Sequence, residues 1–102
     1  MCGIFGEIRF DRAMPDLGWL ARAGDIMAPR GPDSSGVFTQ GSVAFGHRRL
    51  KIIDLSEASQ QPMVDSELGL AIVFNGAIYN YKELRAELQG LGYRFFAHGD
   101  TE

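Results

Sequence analysis

The first third of the chain carries the apolar pattern of a strand followed by a helix. Residues 4–10 are apolar apart from Glu7, Arg9 and a glycine, which predicts a strand with Cys2 at its leading end. Pro15 and Asp16 suit the first turn of a helix. We predict that helix over 16–27, because five residues fall on one of its faces: Leu17, Leu20, Ala21, Gly24 and Met27.

The middle of the chain predicts an irregular loop and a hairpin. Segment 29–36 holds two prolines and two glycines, a composition typical of a loop. Apolar runs over 37–39 and 43–47 flank Gln40-Gly41, which predicts a β-hairpin. The stretch 50–62 begins with another short apolar run and continues as a polar, turn-like segment.

The last third holds the most continuous apolar run, over 68–74. This run predicts a strand buried on both faces, ending at Asn75-Gly76, a pair that favours positive φ. Asn80 and Glu83 then form the pattern of a capping box at the start of a helix. The helix itself is indicated by three leucines at helical spacing and a glycine where a C′ residue belongs: Leu84, Leu88, Leu91 and Gly92.

The order of these elements determines the predicted fold class. A strand over 93–96 and the start of a further helix at 99–102 complete the prediction. Helices and strands in mixed order, with hairpins, favour an α+β fold with mainly antiparallel pairing.

Composition removes several classes of function. The 102 residues are 45% hydrophobic and 23% charged, with a net charge of −3 and both signs scattered, so nucleic acid is not an expected partner. The sequence has neither a signal-peptide pattern nor an apolar run of the ~20 residues that cross a membrane, so we expect no membrane partner and a cytoplasmic location. A single cysteine excludes an internal disulfide and a multi-cysteine zinc site.

Cys2 is the candidate nucleophile. If Met1 is removed, Cys2 becomes the first residue and carries both a thiol and a free α-amine. An α-amine titrates at about 7.7–8.0 in model compounds, so it can accept a proton at cellular pH. Nucleophile and base would then come from one residue. A lone cysteine is equally compatible with a small buried hydrophobe.

Five spaced motifs occur along the chain. In order they are Cys2-Gly3-Ile4-Phe5-Gly6, Arg30-Gly31-Pro32-Asp33-Ser34-Ser35-Gly36, Gly46-His47-Arg48-Arg49-Leu50, Asn75-Gly76-x-Ile78-Tyr79-Asn80 and Asp100-Thr101-Glu102. Together they make the chain resemble a known family, the class II glutamine amidotransferases. Pro32 and the Asp54-Leu55-Ser56 and Gln61-Pro62 segments resemble the asparagine synthetase branch. Segments 7–10, 50–54 and 73–77 look most like enzymes that amidate N-acetylglutaminylglutamine.

The resemblance implies a fold and a domain organisation. The fold would be an N-terminal-nucleophile hydrolase sandwich of antiparallel sheets flanked by helices, of which residues 1–102 form the first part. A synthetase domain that binds ATP and Mg²⁺ would follow, so no cofactor is expected within these residues. The implied partners are L-glutamine, that synthetase domain and, in the full-length protein, a possible homo-oligomer.

The resemblance also implies roles for individual residues. Cys2 would attack the glutamine amide, and the Asn75 side chain and Gly76 N–H would form the oxyanion hole. Arg49 would bind the substrate α-carboxylate and Asp100 its α-ammonium. The remaining substrate contacts would come from Ile52, Ile53, Asn75, Gly76 and Ala77. No metal ligand is expected.

One position departs from the family pattern. Most asparagine synthetases carry Glu after the Asn-Gly pair, where this chain has Ala77. That Glu helps to hold the substrate ammonium, so its absence leaves more of this task to Asp100.

Two other interpretations stay open at this point. The same fold could serve as a non-catalytic binding or interaction module, with Met1 retained and Cys2 inert. A metal site through Cys2, His47 and His98 is disfavoured because these residues lack ligand spacing. His47 is expected to be structural, and Arg48 a solvated surface arginine.

Overall fold

The computed structural model describes residues 2–102 and has an α+β architecture. Three strands form one antiparallel sheet in the order β1-β3-β2, and two short strands form a second. None of the described helices is long and apolar enough to cross a membrane. The bounds are β1 Gly3–Ile8, α1 Leu17–Ile26, β2 Ser34–Gln40, β3 Val43–Arg49, β4 Met63–Asp65, β5 Leu70–Ile72 and α2 Tyr81–Gly90, with 3₁₀ turns at Ala28–Arg30 and Glu57–Ser59.

Helix α1 covers one face of the three-stranded sheet. The predicted helix is confirmed, and Asp16 caps it by accepting a hydrogen bond from the Trp19 N–H at 3.0 Å. Leu20, a residue of this helix, is fully buried. Gly24 lies against the Phe5 ring, where an added Cβ would come within 3.1 Å.

The predicted hairpin is also confirmed, with longer strands than expected. β2 pairs with β3 from Gln40↔Val43 to Ser34↔Arg49, and Gly41 at the turn has φ +58°. β1 is the predicted first strand, but it ends at Ile8, and Phe10 lies beyond it in solvent. The central position of β3 brings its residues into register with both neighbours.

The prediction of a buried strand over 68–74 is wrong. Only Leu70–Ile72 pairs, and its one partner is the three-residue strand β4. Leu70 is 62% exposed, because an apolar groove of about 290 Å³ separates this hairpin from Leu88 of helix α2. Continuous hydrophobicity indicates burial only where another layer lies over both faces.

Helix α2 is confirmed, and Asn80 is its N-cap residue as predicted, but the predicted capping bond is absent. The Asn80 side chain makes no capping hydrogen bond, so the capping box does not form. Gly92 follows the helix with φ +99°, as predicted for a C′ glycine.

The strand predicted over 93–96 and the helical turn at 99–102 are both wrong. The Phe96 and Ala97 N–H groups donate to the Glu102 carboxylate at 3.1 and 2.8 Å. The Glu102 side chain therefore accepts hydrogen bonds from backbone N–H groups that, in a strand, would donate to a neighbouring strand.

The apolar core of the described residues is thin. The buried apolar side chains are Leu20, Ala44, Met63 and Ala97. The Cα radius of gyration is 14.6 Å, against about 13 Å expected for a compact domain of this size.

We expect Gly36→Ala to destabilise the protein. A Cβ at this position would lie 2.5 Å from the Gln61 carbonyl oxygen, which crosses strand β2 there. Overpacking of this kind costs about 1–3 kcal/mol of unfolding free energy, measurable by urea denaturation.

Gly90→Ala is the matched control for this prediction. Its added Cβ meets nothing within 4 Å at the end of helix α2, where alanine is favoured over glycine by up to about 1 kcal/mol. If Gly36→Ala were as stable as Gly90→Ala, the described crossing of Gln61 over β2 would be contradicted.

Candidate active site

The site is a cavity of about 360 Å³ on the sheet face opposite α1. Side chains alternate between the faces of a strand, so Gly46, which lies against Phe5 and α1, leaves His47 and Arg49 on the other face. The cavity brings together every residue that the sequence predicted for the site. Its lining is Cys2, His47, Arg49, Leu50, Ile52, Ile53, Asp54, Ser59, Gln61, Phe74, Asn75, Gly76, Ala77, Tyr79, Gly99, Asp100 and Thr101.

Cys2 is held against the end of strand β3. Gly3 pairs with Arg48, so Cys2 follows at the level of Arg49, next to Leu50. The Cys2 Sγ accepts a hydrogen bond from the Leu50 N–H at 3.3 Å and lies 3.6 Å from the Leu50 carbonyl oxygen. The thiol therefore has a defined position at the cavity wall. Met1 lies outside the described residues, so the predicted release of the Cys2 α-amine stays a prediction.

Arg49 is buried and already oriented by the backbone. Its side chain is almost wholly removed from solvent, and its Nη1 donates to the Ser56 carbonyl at 2.6 Å. Its Nη2 donates to the Asp54 carbonyl. A guanidinium has five N–H donors, so three remain for a ligand. A buried cation at a cavity wall is a strong site for a carboxylate.

Arg48 differs from its prediction. It is half-buried rather than solvated, and its Nε is buried without a hydrogen-bond partner among the described residues. The alternation of strand β3 nevertheless directs Arg48 away from the cavity, which it does not line.

Asp54 organises the loop that holds Arg49. Its carboxylate accepts hydrogen bonds from the Ser59 hydroxyl at 2.6 Å, the Ser56 N–H at 2.8 Å and the His98 N–H at 3.0 Å. The Ser59 and Ser56 bonds hold the pKa of the Asp54 carboxyl well below its usual range. One carboxylate thus connects the Arg49 loop with the segment that leads to Asp100.

The Asn75-Gly76 corner and Asp100 form the opposite wall. Asn75, Gly76 and Ala77 are exposed at the cavity surface. Asp100 accepts a hydrogen bond from the Ile78 N–H at 2.8 Å through Oδ2. This bond fixes the distance between the carboxylate and the corner.

Ile52 and Ile53 lie in the coil between Arg49 and Asp54. The short apolar run over 50–55 forms no strand, and both isoleucine side chains are exposed. They line the cavity, as the sequence predicted.

The loop predicted over 29–36 is shorter than expected, because β2 already begins at Ser34 and a 3₁₀ turn ends at Arg30. Its remaining residues, 31–33, support the end of β3 from behind. A Cβ at Gly31 would lie 2.3 Å from the Arg48 backbone, so only glycine allows this approach. The Asp33 N–H donates to the Arg49 carbonyl at 2.9 Å, and the Asp33 carboxylate accepts from the Lys51 N–H at 2.7 Å. The loop thereby fixes the backbone on either side of Leu50.

Sequence reasoning gave no role to two buried polar residues of the site, His47 and Gln61. His47 is fully buried, and Gln61 is 7% exposed. Both bind the backbone of Phe74, which immediately precedes the corner. Both residues lie within the motifs quoted above, but the sequence did not indicate their common partner, because Phe74 lies far from each of them along the chain.

The disfavoured metal interpretation gains no support. Within residues 2–102 no group of three or more His, Cys, Asp or Glu side chains could hold a metal ion. His98 does not line the cavity that contains Cys2 and His47.

Comparison with known proteins identifies the class to which this site belongs. Over residues 1–102 the chain matches the family described as "Glutamine amidotransferase domain". The chain belongs to this family, which confirms the family resemblance inferred from its motifs.

Three curated relatives that align with the whole chain are named asparagine synthetases. The chain is 38% identical over 105 residues to "Asparagine synthetase [glutamine-hydrolyzing] 3" of Bacillus subtilis (strain 168), with 100% of this chain and 17% of the relative covered. It is 40% identical to "Asparagine synthetase [glutamine-hydrolyzing] 1" of the same organism, with 100% and 16% covered. It is 35% identical to "Asparagine synthetase B [glutamine-hydrolyzing]" of Escherichia coli (strain K12), with 100% and 18% covered. The chain spans less than one fifth of the length of these relatives.

We expect His47 to make the stability of the protein depend on pH. Burial lowers the pKa of His47 below its ordinary value of 6.5, and the nearby Arg49 charge lowers it further. The hydrogen bond to the Phe74 carbonyl raises this pKa, but by less than burial lowers it. As the pH falls below about 6.5, His47 becomes protonated in the unfolded state but stays neutral in the folded state. Folding stability should therefore fall with pH until the depressed native pKa is reached.

The measurement is the urea midpoint between pH 7.5 and 5. His47→Gln should lose the component of the pH dependence that begins near 6.5. His98→Gln, which removes the other, exposed histidine, should keep that component. An unchanged pH profile in His47→Gln would contradict the prediction.

Proposed function

We propose that this chain is the glutamine-hydrolysing part of an asparagine-synthetase-type amidotransferase. The observation that carries the proposal is the cavity, which joins Cys2, Arg49, Asn75-Gly76 and Asp100 from four separate parts of the chain. The family and the printed functions of the relatives support the same assignment.

The charges of the cavity suit a free amino acid. L-Glutamine carries an α-carboxylate and an α-ammonium, and Arg49 and Asp100 offer one opposite charge to each. Arg49 has three N–H donors left, and Asp100 uses one oxygen for the Ile78 N–H. A volume of about 360 Å³ lies within the range of roughly 300–1,000 Å³ typical of small-molecule sites.

The proposed chemistry is acyl transfer through a thioester. The Cys2 thiolate adds to the side-chain amide carbon of glutamine, and the negative charge moves to the amide oxygen. Asn75 and Gly76 donate hydrogen bonds to that oxyanion. The α-amine of Cys2, once Met1 is removed, takes the thiol proton and passes it to the leaving nitrogen, so ammonia departs. Water then hydrolyses the γ-glutamyl thioester to glutamate and regenerates the thiol.

The fold proposed for the complete domain is the N-terminal-nucleophile hydrolase sandwich. The supporting features are two antiparallel sheets, helices beside them, and a cysteine at the leading end of β1. Residues 1–102 would form its first part.

The ammonia would serve an amidation elsewhere in the protein. The acceptor would be a carboxyl group, of aspartate or of N-acetylglutaminylglutamine, activated by ATP and Mg²⁺ in a synthetase domain. We assign these cofactors to that domain on the resemblance to the asparagine synthetase branch. The finer choice between the acceptors rests on the resemblance of segments 7–10, 50–54 and 73–77.

Cys2→Ala in the complete protein should abolish glutamine-dependent synthesis and leave ammonia-dependent synthesis intact. The reason is that Cys2 supplies the attacking atom, whereas free ammonia bypasses that step. Both rates are measured on one sample, so the ammonia-dependent rate is the internal control. Equal loss of both rates in a folded protein would contradict the assignment.

The intact mass of the protein tests the non-catalytic alternative. Retention of Met1, together with an absence of glutaminase activity, would favour the non-catalytic module.

Arg49→Lys should raise KM for glutamine by roughly 10-fold or more with a smaller change in kcat. Lysine keeps the charge but loses the planar fork that binds a carboxylate with two hydrogen bonds. Arg48→Lys is the matched control, because it makes the same change one residue away on the opposite face of β3. Similar kinetics for the two variants would argue against Arg49 as the carboxylate site.

Asn75→Ala should lower kcat for glutamine hydrolysis by about 10²–10³-fold and change KM little. A donor to the oxyanion is most effective in the transition state, and one such donor typically contributes about 2.7–4 kcal/mol. Steady-state glutaminase kinetics measure both constants. A wild-type kcat would remove Asn75 from the oxyanion hole.

A further inference from the structure

We propose that His47 and Gln61 are positioning residues that together orient the oxyanion donors by clamping the backbone of Phe74. This inference rests on the proposed function, because it concerns the corner Asn75-Gly76. It assigns a role to two buried polar side chains that the reaction itself does not use.

The backbone of Phe74 is held by side chains rather than by a strand. Strand β5 ends at Ile72, so neither polar group of Phe74 belongs to the strand pairing. Its N–H donates to the Gln61 Oε1 at 2.5 Å. Its carbonyl oxygen accepts from the His47 Nε2 at 3.3 Å. Both backbone groups are thus bound by side chains from elsewhere in the chain.

The His47 bond acts directly on the first donor residue. The Phe74 carbonyl belongs to the planar peptide unit whose nitrogen is that of Asn75. Holding the carbonyl therefore fixes the plane from which the Asn75 side chain departs, and Gly76 is the next residue. Oxyanion donors are effective only when they are preorganised at the correct position.

Both anchors are themselves rigid. His47 lies on the central strand, paired with Ile4 of β1 and Gly36 of β2, and is fully buried. The Gln61 Nε2 donates to the Thr101 hydroxyl at 3.2 Å, and the Gln61 carbonyl crosses β2 at Gly36. The clamp consequently connects the corner to the same sheet that carries Cys2.

The chemistry of the clamp determines the histidine tautomer. A carbonyl oxygen can only accept, so the His47 Nε2 carries the proton and the Nδ1 of the neutral ring does not. The Nδ1 is buried and has no hydrogen-bond partner among residues 2–102. The ring is therefore used on one side only, as a single donor to Phe74.

The test compares variants that remove one bond with variants that retain it. His47→Met removes the donor to the Phe74 carbonyl, and His47→Gln places an amide N–H at a similar reach. Gln61→Met removes the acceptor for the Phe74 N–H, and Gln61→Glu keeps an oxygen there. In the complete protein we expect each Met variant to lower kcat for glutamine by roughly 10- to 100-fold and to leave KM within about twofold of the wild type. This loss is smaller than the roughly 10²–10³-fold loss typical when a whole oxyanion donor is removed, because the donors remain and only their orientation is loosened. We expect His47→Gln to retain most of kcat.

A double-mutant cycle separates positioning from general damage. If His47 acts through the corner, His47→Met should cost much less in an Asn75→Ala background than in the wild type. Additive effects, a change in KM alone, or equal losses in His47→Met and His47→Gln would overturn the proposal.

Hydrogen exchange tests the clamp independently of activity. The Phe74 amide, whose N–H donates to the Gln61 Oε1, should exchange faster in His47→Met and Gln61→Met, with wild-type protection in His47→Gln. Unchanged exchange in both Met variants overturns the clamp even if the protein hydrolyses glutamine. Conversely, loosened exchange in a protein whose Cys2→Ala variant remains fully active supports the clamp and refutes the proposed function.

Discussion

The antiparallel pairing of β1 with β3 is the interaction on which the site depends. It places Cys2 at the level of Arg49, because Gly3 pairs with Arg48, and the Cys2 Sγ there accepts a hydrogen bond from the N–H of the next residue, Leu50. The same strand directs His47 and Arg49 to the cavity face and leaves Gly46 for the packing of Phe5. A slip of one residue would exchange these faces and remove the arginine from the cavity.

Hydrogen bonds made by side chains, rather than apolar packing, connect the remaining walls of the cavity to one another. Asp54 binds the segment at His98, Asp100 binds the Ile78 N–H, and Gln61 joins Phe74 to Thr101. With so few buried apolar side chains, these bonds determine much of the geometry at the cavity. Each such bond is worth only about 0.5–1.5 kcal/mol net, but leaving its buried partner unsatisfied costs more, which makes the arrangement specific.

The cavity combines two requirements that usually conflict. A buried guanidinium must stay charged to bind a group of opposite charge, yet burial penalises charge. The structure meets this by giving Arg49 two backbone carbonyls as acceptors, while three donors hold the Asp54 carboxylate that organises the Arg49 loop. The charged groups are therefore oriented by the protein itself, whereas burial lowers the pKa of His47 in the same cavity.

Local pattern by itself determined α1, the hairpin of β2 and β3, most of β1 and the body of α2. These elements depend on periodicity and turn residues within one short segment. The motifs and the resemblance named Cys2, Arg49, Ile52, Asn75 and Asp100 as site residues, and all five line one cavity, while their roles stay predictions. Tertiary structure decided the rest. It left Leu70 exposed despite its apolar run, gave the Phe96 N–H to Glu102 instead of a strand, and left Asn80 without a capping bond. It also made His47 and Gln61 part of the site through a shared partner at Phe74. These outcomes depend on which distant group arrives at a given donor or face, and a hydrogen bond across more than ten residues leaves no periodic trace in the sequence.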